Sequence, residues 1–102
     1  MRLEARLAAL AAAGQTVGYG ALARDLGLRV AELTAALEVL MEEDAERGRP
    51  FRAALLSQRL SPNGDPALGF FQKAAALGRP DIDVEAERRA LFDAAGPATS
   101  PP

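Results

Sequence analysis

The chain has 102 residues, a formal net charge of −2, and no cysteine, histidine or tryptophan. That length predicts one domain, residues 1–96, burying roughly two-thirds of its unfolded surface. Without thiols or imidazoles, disulfides, thiolate nucleophiles, histidine acid–base catalysis and most zinc sites are excluded. A carboxylate, hydroxyl or lysine enzyme stays open, as does a domain that only binds.

Apolar residues make up 49% of the chain, but 23 of them are Ala and 15 are Leu, against four Val and one Ile. This composition favours helix over strand. The charge is unevenly spread. Residues 1–46 carry −4, residues 47–79 carry +5, and residues 80–102 carry −3. A basic middle is thus flanked by acidic ends. Eleven of the twelve cations are Arg, which suits bidentate contact with phosphate or carboxylate. Joint enrichment in Ala, Arg and Gly also fits a GC-rich coding sequence.

The first residues, Met1-Arg2-Leu3-Glu4-Ala5-Arg6, place charges where a signal peptide needs an apolar stretch. No segment approaches the roughly 18 apolar residues of a membrane span. The expectation is a soluble, cytoplasmic protein.

Leu3, Leu7 and Leu10 fall at i, i+4 and i+7, predicting a first helix over residues 2–13 with Gly14 as its stop. Gln15 to Tyr19 reads as an extended connector or a one-rung strand. Ala21 to Leu26 forms a short second helix ended by Gly27, and Leu28-Arg29 is a tight turn. Val30, Leu33, Leu37, Leu40 and Met41 make one apolar stripe. This third helix runs to about Glu46, before Gly48 and Pro50. Phe51 to Leu60 lies between Gly-Arg-Pro and Ser-Pro-Asn-Gly and reads as a strand. Ser61 to Pro66 is a hairpin turn, since Asn-Gly supplies the positive φ angles a hairpin needs. Ala67 to Phe71 returns as a second strand, and Gln72 to Leu77 is a short helix stopped by Gly78. Asp83 caps a last helix, Val84 to Ala95, supported by a Glu85–Arg89 pair. Residues 97–102 (PATSPP) form a disordered tail.

The fold class expected is therefore mainly α with a small β-hairpin. Helix, short strand, helix, tight turn, helix and hairpin resembles the winged helix-turn-helix order. The expected architecture is a three-helix core with one or two added C-terminal helices. Val17, Tyr19, Gly20, Leu22, Ala23 and Gly27 carry a narrower likeness. Residues 15–27 resemble the V-x-Y-G-x-L-A-x-x-x-G stretch of the DNA-binding half of O6-alkylguanine alkyltransferases and alkyltransferase-like proteins. Gly69-Phe70 is similar to that family's glycine-rich segment. The Pro-Cys-His-Arg active-site motif, or its Cys-replaced version, is absent; Pro50-Phe51-Arg52 is the nearest sequence. Gly18 stands where Thr is usual. The resemblance implies a fold and DNA as ligand, and it brings neither alkyl transfer nor an alkylated-base pocket.

The wing holds Arg47, Arg49, Arg52 and Arg59, and Arg29 heads the third helix. If about four such cations met phosphates, log K against log salt would fall with a slope of about −3.6. Along the third helix Glu38, Glu42 and Glu46 carry the wrong sign for DNA, which confines contact to its first turn. The alternative is internal: the acidic ladder pairs with the Arg segment. Tyr19 is a stacking candidate or a core residue. Asp81-Ile82-Asp83 lacks a third metal ligand, and Ser57 or Ser61 with Lys73 lacks the spacing of a nucleophile pair. The reading is a non-enzymatic module without cofactor or metal, binding DNA through Arg29, Arg47, Arg49, Arg52, Arg59 and Tyr19. Its rival is protein association. There the acidic face of the third helix docks a basic partner, or the Ala-rich first helix pairs in a homodimer.

Overall fold

The computed structural model describes residues 2–59, 61 and 64–95. The chain is mainly α with one small strand pair. In order come α1 (Arg2–Ala13), β1 (Val17–Gly18), α2 (Tyr19–Leu26), α3 (Val30–Glu46), a 3-10 turn (Arg52–Leu55), β2 (Leu56–Ser57), α4 (Leu68–Ala76) and α5 (Val84–Ala95). No described helix is long and apolar enough to cross a membrane.

The first three helices lie where apolar spacing and glycines place them. α1 buries Leu3, Leu7, Leu10 and Ala11. Gly27 closes α2 at φ 69°, in the left-handed region where a Cβ is strained. α2 begins two residues before the expected start, because Gly18 is extended and Tyr19 already helical. α3 buries Leu33, Leu37, Leu40, Met41 and, on the same stripe, Asp44. Arg6 joins α1 to α2 through Asp25 at 2.9 Å.

The expected hairpin of residues 51–60 and 67–71 is not what forms. β2 pairs with β1 in parallel, Val17 against Leu56 and Gly18 against Ser57. Residues 68–71 are the first turns of α4. Two local causes bend the chain away from a hairpin. The Asp44 carboxylate accepts the backbone N–H of Arg52 at 3.0 Å, which pins that residue beneath α3 and starts the 3-10 turn. After the loop, Phe70 and Ala74 are buried at i and i+4, so burial follows a helical period.

One core unites these elements: Leu7 of α1, Leu22 of α2, Leu33 and Leu40 of α3, Phe51, Leu55 and Leu56 of the central segment, Phe70 of α4, and Val84 and Leu91 of α5. Phe51 meets Phe70 edge to face at 6.0 Å, and the Arg79 guanidinium lies 4.2 Å over the Phe51 ring.

Arg88 of α5 ties the central segment down. Its Nε donates to the Ala54 carbonyl at 2.7 Å, and its Nη2 to the Leu56 and Gly64 carbonyls at 3.1 and 2.9 Å. Asp83 caps α5 through the Ala86 N–H at 3.2 Å. Among the described residues the Glu85–Arg89 pair does not form; such exposed pairs contribute only tenths of a kcal/mol. Pro62 and Asn63 of the expected Asn-Gly turn, and the tail 97–102, lie outside the described residues.

Candidate functional site

The arginines singled out from sequence divide into two groups. Arg49 and Arg52 turn inward on Asp44, which has no exposed surface. Arg52 Nε lies 3.1 Å from both Asp44 oxygens, and Arg49 Nη2 lies 3.1 Å from Asp44 Oδ1. Arg52 also reaches Glu4 at 3.8 Å and Glu43 at 3.7 Å, leaving 21% of its side chain exposed. Burying a carboxylate demands such partners, so these two cations close the end of α3. Internal pairing does form, but not the one foreseen: among the described residues none of Glu38, Glu42 and Glu46 pairs with this Arg segment, and Asp44 and Glu43 do. Lys73 likewise binds Glu42 at 2.6 Å, and that contact raises the Lys73 pKa. Glu42 and Glu43 of the acidic face are therefore engaged within the chain.

Arg29, Arg47 and Arg59 remain at the surface. Arg29 precedes α3, and its backbone N–H donates to Glu32 Oε1 at 2.8 Å while its side chain is 88% exposed. Arg47 caps the opposite end of α3. Arg59 follows β2 and faces a groove of about 550 Å³.

This groove opens between residues of α2, α3 and α4. Tyr19, Leu37, Met41, Ala53 and Phe70 make its apolar walls. Arg24, from the last turn of α2, and Arg59 stand on it together with Glu38, Thr34 and Gln58. Among the described residues the Arg24 and Arg59 side chains make no ion pair or hydrogen bond. Two helices begin at the groove: α2 at Tyr19 and α4 at Leu68. Neither start has a cap from its own N-cap side chain or an acidic residue in its first turn, so no carboxylate offsets the partial positive charge of either terminus. Tyr19 joins them, its hydroxyl accepting the Ala67 N–H at 3.0 Å. Burial raises the Tyr19 pKa, against smaller opposite effects from that hydrogen bond and from Arg88.

No protein-family model matches the chain, and neither does any curated protein or solved structure. The groove is therefore read from its own geometry.

The structure sets Arg59 and Tyr19 on this groove, leaves Arg29 exposed one residue before Val30, which lines it, and holds Arg49 and Arg52 on Asp44. Sequence reasoning missed Arg24. Its signal was available, since Leu22 and Ala23 are the buried residues of α2 and the next position emerges at its rim. Asp44 was also missed, although Leu33, Leu37, Leu40 and Asp44 share one helical face by spacing alone.

Proposed function

We propose that the chain is a non-enzymatic module that binds nucleic acid through backbone phosphates, at the edge marked by Arg24, Arg29 and Arg59. The observation that supports it is the placement of Arg24 and Arg59. They come from separate segments, stand on one groove, and have no anionic partner among the described residues. Arg29 precedes Val30, which lines the same groove. The succession of α2, a three-residue turn and α3 agrees with a helix-turn-helix reading and with the likeness at residues 15–27.

Charge limits how such a helix pair meets a duplex. The later turns of α3 expose Glu42 and Glu46, so α3 does not lie along a groove over its whole length, whereas Glu32 of the first turn is paired with Arg29 at 3.7 Å. Contact through its first turn and through Arg24 and Arg59 keeps phosphates beside guanidinium groups. Three phosphate contacts give a slope of about −2.7 in log K against log salt. That is weak, sequence-tolerant binding.

Fluorescence anisotropy with a labelled duplex, at low and at physiological salt, tests the reading. The expected result is salt-sensitive binding whose slope drops by about one for each of Arg24→Gln, Arg29→Gln and Arg59→Gln. Absence of binding at low salt overturns it. So does binding that the triple variant leaves unchanged.

A further inference from the structure

The described glycines fall into two classes. Gly14, Gly27, Gly48, Gly64 and Gly78 have positive φ and end helices or form turns. Gly18, Gly20 and Gly69 do not, and all three line the groove. A Cβ on Gly20 or Gly69 meets no atom within 4 Å, and one on Gly18 meets only the Ser57 carbonyl at 3.8 Å. Neither backbone conformation nor close packing asks for glycine at these positions. Gly20 and Gly69 are moreover the second residues of α2 and α4, where glycine weakens a helix. What the three have in common is the bare backbone they give the groove wall.

The groove also has a definite electrical character. Its apolar walls surround a rim where two guanidinium groups and two helix starts without acidic residues meet one carboxylate, Glu38. The balance favours one negative group on a ligand with an apolar body. Flat contact with bare backbone favours a planar body over a branched one, and a volume of about 550 Å³ suits a small organic molecule.

We infer that this groove is a binding site for a small planar organic anion, an aromatic body bearing one acidic group. The acid sits between Arg24 and Arg59, and the flat body lies on Gly20, Gly69 and the half-buried Tyr19 ring. The inference does not rest on the nucleic-acid reading, because it requires a cavity and an anion and no phosphate backbone.

Anilinonaphthalene sulfonate and uncharged phenylnaphthylamine share a ring system and differ by the acidic group, so together they probe both features. Fluorescence titration of the full chain is expected to show the sulfonate binding about tenfold tighter. That advantage disappears in the Arg24→Gln/Arg59→Gln variant while neutral binding persists. In parallel, the backbone amide signals of Gly18, Gly20 and Gly69 shift on titration in a nitrogen-15 NMR spectrum, and those of Gly14, Gly48 and Gly78 stay. Equal affinity for the two probes overturns the inference, as do shifts spread evenly over both glycine classes or no binding of either probe. Duplex binding without sulfonate binding sinks this inference alone; the reverse sinks only the nucleic-acid reading.

Discussion

The hydroxyl of Tyr19 accepts the backbone N–H of Ala67 at 3.0 Å, so the first residue of α2 holds the residue that precedes α4. The two partners are 48 positions apart in sequence. This bond gives an otherwise unsatisfied N–H a partner at the start of α4. It also sets both helix starts on one groove, with the tyrosine ring as the wall between them.

Tyr19→Phe keeps the ring and removes the acceptor. With the Ala67 N–H left part-buried and unpaired, stability falls by about 1 to 2 kcal/mol. For a domain of this size that lowers Tm by roughly 5 to 15 °C, as thermal denaturation followed by circular dichroism will show. A fall no larger than a surface substitution produces argues that the bond holds nothing in place.

Tyr19 is the sole tyrosine, and the chain has no tryptophan, so its phenolate absorbance is readable without interference. Burial, the largest influence, raises its pKa above the ordinary value near 10. The folded state therefore holds the phenol proton more tightly than the unfolded state does. This contribution to stability is fully present below pH 10 and is lost as pH rises through the folded pKa. Spectrophotometric titration is expected to show ionisation starting later than in the urea-unfolded chain. A phenolate that titrates alike in both states contradicts the burial.

Much of this fold was legible from pattern alone, and the exceptions have a common physical cause. Gly14, Gly27 and Gly48 mark helix ends because each has a left-handed backbone, a requirement visible as a residue type. Asp83 marks a helix start for the corresponding reason. Residues 51–56 defeated the same reasoning because Phe51, Ala53, Ala54, Leu55 and Leu56 are all buried. A segment covered on every side has no period to read. Phe70 and Ala74 do keep a helical spacing, but Leu68 at the head of α4 is 67% exposed, which blurs the apolar pattern that marks a helix. At the site, residue type was readable and direction was not. Arg49, Arg52 and Arg59 look equivalent along the chain, and only the buried Asp44 separates the first two from the third.

Asp44 supports the strongest stability prediction. Removing it leaves the Arg52 N–H without its acceptor and the mostly enclosed Arg52 guanidinium with only Glu4 and Glu43 at 3.8 and 3.7 Å. Loss of one member of a buried pair costs about 3 to 5 kcal/mol, so Asp44→Ala is expected to fall near the folding threshold. Arg52→Ala leaves Arg49 to face Asp44 and costs less, and Arg49→Ala, whose side chain is 44% exposed, costs least. Urea denaturation of the three variants tests the order; Arg49→Ala as the most damaging change reverses the assignment.

Arg88 is a cation whose three hydrogen-bond partners are backbone carbonyls. A lysine in its place preserves the charge but cannot span Ala54, Leu56 and Gly64 with one ammonium. Arg88→Lys is expected to lose about 1 to 3 kcal/mol through carbonyls left without donors. Hydrogen exchange sharpens the test. Protection at the amides of Leu55 to Ser57 is expected to fall more than protection in α1. A uniform loss shows that Arg88 acts on global stability without fastening this segment.

Gly20→Ala and Gly69→Ala separate a stability role from a ligand role at the groove. Each added Cβ enters open space at a helical position with ordinary backbone geometry. Replacing glycine by alanine there stabilises by about 0.5 to 1 kcal/mol. Gly27→Ala provides the contrast, because φ 69° strains any residue with a Cβ and the change destabilises. If the bare backbone serves a bound molecule, the two stabilised variants bind anilinonaphthalene sulfonate less tightly than the parent chain, opposing their gain in Tm. Should affinity and Tm rise together, the glycines have no part in shaping the groove for a ligand. A chain that keeps two weak helix positions beside one concavity gives up stability there, and these variants measure whether binding is what it gains.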